Sequence, residues 1–286
     1  MLNIDLHCHS HVSDGVLPPG EVVTRAAANG VQVLALTDHD DVAGLAEAQI
    51  AAEHIGMTLI PGVEISVTWQ RRTVHIVGLR IDPQHPQLAA GLHAIRVGRD
   101  LRAQRMSEDL ARHGIVDAYE GAREHAVNKQ MIGRTHFARW LVEQGHVRDV
   151  RSAFKHFLTS GKPGYVEHEW TTLDNAVNWI RASGGMAVLA HPGRYDLTTR
   201  QLHLLLDAFR NLGGEGIEVV TGSHHPDEYG KFADLARAFG LKASRGADFH
   251  APGEGIDLGR LPALPHYCKP VWQHWPEIEC LLAQTH

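Results

Sequence analysis

Residues 5–15 read DLHCHSHVSDG, three histidines, a cysteine and two aspartates within eleven positions. Four later segments offer the same kinds of donor. They are TDHDD, with His39 beside Asp38, Asp40 and Asp41; Glu64, with His75 eleven residues on; His191 in HPGR; and Asp248 with His250 in DFH. Imidazole and carboxylate, without a thiolate framework, suit zinc, manganese or iron in a catalytic rather than a structural site. Histidine is also abundant, 22 of 286 residues, and it is the commonest metal ligand. A lone His-x-His is more often structural or solvated, so the weight lies on the five segments together. Nine donors exceed the four that a tetrahedral ion takes. They suffice for two or three ions if Glu64 bridges. Such sites generate hydroxide near neutral pH and clamp the oxygens of a transferring phosphoryl group. His85, His93, His113, His266, His274 and His286 lie in polar or irregular surroundings and receive no role.

The donors sit on or just beyond short apolar runs. Leu2–Leu6 leads into His7, Val31–Leu36 into TDHDD, Met186–Ala190 into HPGR, Gly216–Val220 into TGSHH and Leu241–Ser244 into RGADFH. Glu64 and His75 fall inside the runs Thr58–Val67 and Val74–Leu79. Runs of this length and composition read as strands buried on both faces. Helical patterns at 18–30, 42–56, 172–185, 199–214 and 226–240 separate most of them, several with Pro or Thr at the start and Gly at the end. The alternation predicts an α/β fold with a parallel sheet. Seven strands feeding one cluster fit a closed barrel, whose sites lie at the C-terminal strand ends, better than an open sheet with one switch point. His7 and His9 point to the same side of a strand end, as do Asp248 and His250. The two pairs converge only if the first and last strands are neighbours, which barrel closure provides. Cys8 then faces the other way, into packing. His11 and Ser13 read as loop residues before Asp14, with His11 near the mouth of the site.

The stretch from about Asp82 to Lys162 breaks this rhythm and is mostly helical: LAAGLHAIRVGRDLRAQRMSEDLARHG, a polar segment, then THFARWLVEQGHV and VRSAFKHFL. It reads as an insertion in the barrel, a small cap. The tail from Pro262 is Pro-rich, with one short helix near 276–283. A net charge of −6 and 43% apolar residues describe a globular chain with no bulk affinity for nucleic acid or membrane surfaces. Three cysteines, Cys8, Cys268 and Cys280, make no disulfide framework. With no signal-peptide pattern and no apolar run long enough to span a bilayer, a cytoplasmic protein is expected.

Taken in order over residues 5–250, DLHCHSHVSDG, LALTDHDDVAG, IPGVEIS, VHIVGL, LAHPGR and GADFH resemble the PHP (polymerase and histidinol phosphatase) superfamily of metal-dependent phosphoesterases. The resemblance implies a distorted (β/α)7 PHP barrel over 1–82 and 163–286, with the helical cap over 83–162. It implies His7, His9, Asp14, His39, Glu64, His75, His191, Asp248 and His250 as metal ligands. His7, His9, Glu64 and Asp248 would serve one ion, Glu64, His75 and His191 a second, and Asp14, His39 and His250 a third. The cofactor implied is two or three divalent ions, manganese first, with zinc and iron accepting the same ligands. One departure is Ala247, where the pattern has serine; it removes a hydroxyl and no ligand.

Arginines suggest what the ions act upon. Arg99, Arg102 and Arg105 share nearly one helical face, which reads equally as a solvated strip paired with Asp100 and Glu108. Arg134 follows a glycine and opens an amphipathic helix, where backbone N–H groups favour an anion. Arg194 closely follows His191. Guanidinium forks match phosphate oxygens. Asp40 reads as an acceptor for a sugar hydroxyl or as a helix N-terminal charge. IGRxHFA and HPGR resemble a branch that removes the 3′-phosphate from nucleoside 3′,5′-bisphosphates, such as adenosine 3′,5′-bisphosphate, with relatives that degrade short 5′-phosphorylated RNA from the 5′ end. That resemblance implies a phosphoric monoester hydrolase. Arg194 would face the reacting phosphate, while Arg134, Arg99 and Arg102 hold the other. His191 or Asp248 would move the proton to the leaving oxygen. It implies a nucleotide or short-RNA substrate, and no duplex DNA, membrane or obligate protein partner. Rival readings on the same barrel are a histidinol-phosphate phosphatase, an exoribonuclease and a non-catalytic metal module.

Overall fold

The computed structural model describes residues 2–283, so His286 lies outside the described residues. Along the chain run β1 (Ile4–Asp5), α1 (Pro19–Ala28), β2 (Val33–Leu36), α2 (Leu45–Ile55), β3 (Thr58–Trp69) and β4 (Arg72–Leu79). Helices α3 (Pro86–Arg112), α4 (Ala118–His125), α5 (Arg134–Glu143) and α6 (Val150–Ala153) follow, the last continued by a π-helical turn, Phe154–Leu158. Then come β5 (Thr171–Thr172), α7 (Leu173–Ala182), β6 (Met186–Leu189), α8 (Thr199–Asn211), β7 (Gly216–Thr221), α9 (Tyr229–Ala238), β8 (Lys242–Gly246) and α10 (Pro276–Ala283). The local signals act through their chemistry. Thr172 Oγ1 accepts the Asn175 N–H at the start of α7, and Gly56 ends α2 in the left-handed region at φ 71°.

Seven strands run in the order β1-β2-β3-β4-β6-β7-β8, with β5 beside β3. The ring closes between the two chain ends. Leu6 N–H donates to Arg245 O at 3.0 Å, Asp248 N–H to His7 O at 2.8 Å and His9 N–H to Phe249 O at 2.9 Å. Gly246 permits this approach, because a Cβ there would lie 2.3 Å from His7 Cβ. Asp5 clamps the seam from below, accepting the Ala247 N–H (2.8 Å) and the Gly259 N–H (2.7 Å).

The sheet is not all-parallel, as strand–helix alternation predicts. β4 is antiparallel to both β3 and β6. Only Gln70 and Arg71 join β3 to β4, both at positive φ (46° and 62°). A two-residue connection of that conformation can only turn the chain back on itself. The reversal explains why Glu64 and His75 lie inside apolar runs. Glu64 bridges to His39 just past the end of β2. His75, near the start of β4, accepts through its carbonyl from Ala190 N–H, just past the end of β6. Both therefore reach the end of the barrel where the other donors lie. Leu79, at the end of β4, pairs with Met186 at the start of β6, at the opposite end.

Alternating strand residues bury two faces. Val33 and Ala35 join Ile4, Leu6, Val77, Leu79, Val188 and Ala190 in the barrel interior, where Val271, Trp275 and Ile278 of the tail pack against them. Leu34 and Leu36 face outward beneath the helices, in a larger cluster that includes Cys8. Between β4 and β5 the described elements are all helical. Leu88, Leu92 and Ile95 of α3 belong to the outer barrel cluster. Ala103, Met106 and Leu110 of the same helix belong to a separate cluster with Phe137, Leu141 and Leu158. Helix α4 lies in the segment that reads only as polar.

Candidate metal centre and cavity

His7 and His9 do point the same way, with Nε2 atoms 3.1 Å apart. Glu64 Oε2 lies 3.4 Å from each. Asp248 Oδ1 lies 3.5 Å from His7 Nε2 and 3.3 Å from His9 Nε2. Bonds of about 2.0–2.1 Å to a tetrahedral ion give donor separations of about 3.3–3.4 Å, so these donors match one coordination shell. The other Glu64 oxygen, Oε1, lies 3.0 Å from His75 Nδ1 and 2.9 Å from His191 Nε2. Asp14 Oδ1 lies 3.3 Å from His250 Nε2 and 3.9 Å from His39 Nε2. His39 also reaches Glu64 Oε2 with Nδ1, at 2.9 Å. The structure thus draws all nine sequence-derived donors together around Glu64. Among groups able to hold an ion, His9 joins Asp14, His39 and His250, and His191 joins His7 and Asp248.

Three carboxylate oxygens test whether ions fit. Asp14 Oδ1, Glu64 Oε2 and Asp248 Oδ1 are buried with no hydrogen-bond partner among the described residues. Buried acceptors are almost always satisfied, and cations among these donors satisfy them. Burial alone would raise these three carboxyls, but the surrounding imidazoles hold them well below the usual carboxylate range. Burial, with His250 and His39 nearby, pushes His9 down to about 3, leaving a neutral imidazole ready to ligate. Three residues here have left-handed backbone, Asp40 (φ 46°), His191 (φ 21°) and Asp248 (φ 54°), the strain that functional sites concentrate.

Several holders of these donors carry no motif. Glu218, buried in β7, accepts His7 Nδ1–H at 2.8 Å and the His191 backbone N–H at 2.6 Å. This fixes the His7 tautomer, leaving Nε2 free for an ion. Asp38 accepts from Ser10 N–H, Ser10 Oγ and Ser13 Oγ at 2.6–2.8 Å, folding the turn before Asp14. Ser13 is thus buried and bonded rather than a plain loop residue. Tyr195 Oη accepts His75 N–H and donates to Ala190 O, both at 2.8 Å. Asp248 Oδ2 accepts from Arg194 (3.0 Å) and Ser223 (2.6 Å), which aims Oδ1 inward. Cys8 is fully buried and donates its thiol to Ala35 O.

Beside the donors lies a cavity lined by Asp14, His39, His75 and His250 and by Arg99, Arg102, Arg134 and Arg194. Arg99 and Arg102 stack on Trp170, with guanidinium carbons 4.6 and 5.3 Å from its ring centroid. Asp40 does not reach this cavity. It is fully buried, its Oδ1 accepts Ser66 N–H, and its Oδ2 binds Arg99. It anchors Arg99 and leaves no oxygen for a sugar. No carboxylate among the described residues pairs with Arg102 or Arg134. Their guanidiniums donate only to carbonyls, of Val166 (3.2 Å) and Leu158 (3.4 Å). Burial pushes their pKa values down, aided by Arg134 and Arg99 for Arg102 and by Arg194 and Arg99 for Arg134. Two neighbouring cations, Arg102 buried and Arg134 half-buried, without a carboxylate partner are stabilised by an anion.

Comparison with known proteins is consistent with this geometry. A PHP domain family model matches residues 5–133. The chain is 54% identical over 274 residues to the 3′,5′-nucleoside bisphosphate phosphatase of Chromobacterium violaceum, covering 96% of each chain. It is 44% identical over 269 residues to a 5′-3′ exoribonuclease of Haemophilus influenzae, covering 94% of this chain and 97% of that one. A solved structure of an amidohydrolase from Chromobacterium violaceum, with bound sulfate and no metal, superposes with a TM-score of 0.93 at 53% identity over 97% and 96% of the two chains. Barrel, donor cluster and full-length similarity lead to one assignment: the chain belongs to the PHP domain family.

Proposed function

We propose that this chain is a metal-dependent phosphoric monoester hydrolase that removes the 3′-phosphate from nucleoside 3′,5′-bisphosphates. The carrying observation is a pair of arginines in the same cavity as the donors: Arg102 and Arg134, without a carboxylate partner among the described residues, at the first turn of α5. A substrate with one phosphate would leave those cations uncompensated. The similarity to a bisphosphate phosphatase supports the same substrate class.

The nine donors would hold a three-ion cluster, and manganese accepts this set of imidazoles and carboxylates. Bound, such ions supply Lewis acidity toward phosphoryl oxygens and an activated water. The chain's own residues do the rest. Arg102 and Arg134 bind the 5′-phosphate and fix the register of the nucleotide. Arg194, held by Asp248, faces the cavity and offsets charge on the reacting phosphate. Of His191 and Asp248, the two candidates for passing a proton to the leaving 3′-oxygen, His191 is favoured, because the imidazoles hold the Asp248 carboxyl ionised and Arg194 and Ser223 occupy its Oδ2. Residues 83–162 act as the cap that carries the second anion site. No helix among the described residues is long and apolar enough to cross a membrane, which is compatible with the cytoplasmic setting expected from the sequence.

Purified manganese-loaded protein tested against nucleoside 2′-, 3′-, 5′- and 3′,5′-phosphates, with histidinol phosphate as a rival, should turn over the 3′,5′-bisphosphate best. Arg134→Ala should raise KM for the bisphosphate far more than for a monophosphate. Equal losses on both would overturn the two-phosphate reading. Exonuclease activity on short 5′-phosphorylated RNA is a second reading. Its support is a solvent-exposed edge of the cavity at Arg71 and Glu167, where a longer chain can leave. Mass analysis of products from a 5′-phosphorylated trinucleotide tests it.

A further inference from the structure

The donors are held in two different ways. Those around Glu64 are placed by barrel strands and by Glu218. Asp14 and His39 are held from the helical segment as well. The loop carrying His39 is gripped at three points. Arg99 donates to Asp40 Oδ2 (2.9 Å from Nε), Arg96 donates to the Asp40 carbonyl (2.8 Å), and Asn128 donates to Asp41 Oδ2 (2.7 Å). Asp14 is held by Thr135, whose Oγ1 donates to Asp14 Oδ2 at 3.1 Å. The other Asp14 oxygen, Oδ1, is the unpartnered one that faces His250 and His39. Thr135 is the second residue of α5 and directly follows Arg134, and both line the cavity. An anion seated on Arg134 therefore orders the same turn that aims Asp14.

We propose that Thr135 is a positioning residue that couples the arginine pocket to the Asp14–His39–His250 group, so that an anion on Arg134 tightens the ion held there. Coupling of this kind is reciprocal, and the ion tightens the anion by the same factor. The inference rests on the two-phosphate reading above. It requires a hydroxyl at 135: serine retains the donor, and valine keeps the shape without it.

Equilibrium dialysis of Mn2+ against the metal-free full chain tests it, with and without adenosine 5′-monophosphate as probe, on wild type, Thr135→Val and Thr135→Ser. In wild type the probe should tighten the weakest ion by about tenfold. Thr135→Val should bind that ion about tenfold more weakly, the lower end of what outer hydrogen-bond partners of ligands contribute. It should gain less than about twofold from the probe, with the tighter ions and the melting temperature unchanged. Thr135→Ser should behave as wild type. A valine variant with wild-type isotherms and wild-type tightening overturns the inference, as does a serine variant as impaired as valine. If wild type shows no tightening and turns over no bisphosphate, the functional reading fails instead.

Discussion

Glu218 shows how much of this centre depends on residues that bind no substrate. Both its oxygens are committed, one to the His7 ring and one to the His191 backbone. Glu218→Gln keeps the shape and puts an N–H₂ group where one acceptor stood. Manganese affinity should fall by about 10–100-fold, the usual effect of losing such a partner, while far-UV circular dichroism is unchanged. Dialysis against Mn2+ checks this, and wild-type affinity would refute it. Five of the nine donors, His7, His9, His39, Asp248 and His250, are legible because HxH, DHD and DFH are local patterns. Their holders were not, since the bonds from Ser13 to Asp38 and from His7 to Glu218 span 25 and 211 residues. The sequence signal for Glu218 is a glutamate inside the apolar run GIEVV. The local sequence does not show the role of Asp40 for a related reason: its partner Arg99 comes from another element, 59 residues away.

Among the elements, direction was harder to read than existence. Each apolar run formed its strand, but β4 runs backward. The two-residue QR link between VTW and RTV carries that information, since so short a connection excludes a parallel crossover. Helix α4 has a weak sequence signal because it is short and polar, and begins after Asp117 in left-handed backbone. Helix α3 contains a contact that sequence alone does not reveal. Gly91 lies against Trp179 of α7, and a Cβ there would come within 2.6 Å of the indole. Alanine ordinarily favours a helix interior over glycine by about 1 kcal/mol. Here the clash should reverse the sign, and Gly91→Ala should destabilise the protein by about 1–3 kcal/mol. Urea unfolding decides the sign, and a stabilised variant would show that α3 moves freely on the barrel.

For the whole molecule, the decisive join is the seam between the two ends of the chain. His7 and His9 lie on one side of it, Asp248 and His250 on the other. Asp5→Ala leaves the buried Ala247 N–H without its acceptor, at about 1–3 kcal/mol, and also strips the half-buried Gly259 N–H of its partner. The melting temperature should fall, and manganese affinity should fall with it, because the donors span the seam. A drop in stability with unchanged metal binding would separate the two. This join was foreseeable from paired motifs more than 230 residues apart. The grip of the helical segment on Asp40, Asp41 and Asp14 was not. Because β4 descends, α3 starts at the far end of the barrel and must climb back. Its 27 residues rise about 40 Å at about 1.5 Å each, and removing one turn would lower Arg102 by about 5 Å. The number of residues between Leu79 and Arg102 is therefore a ruler. It sets the distance from Arg102 to the donors at the barrel mouth, the span that the proposed two-phosphate substrate has to match.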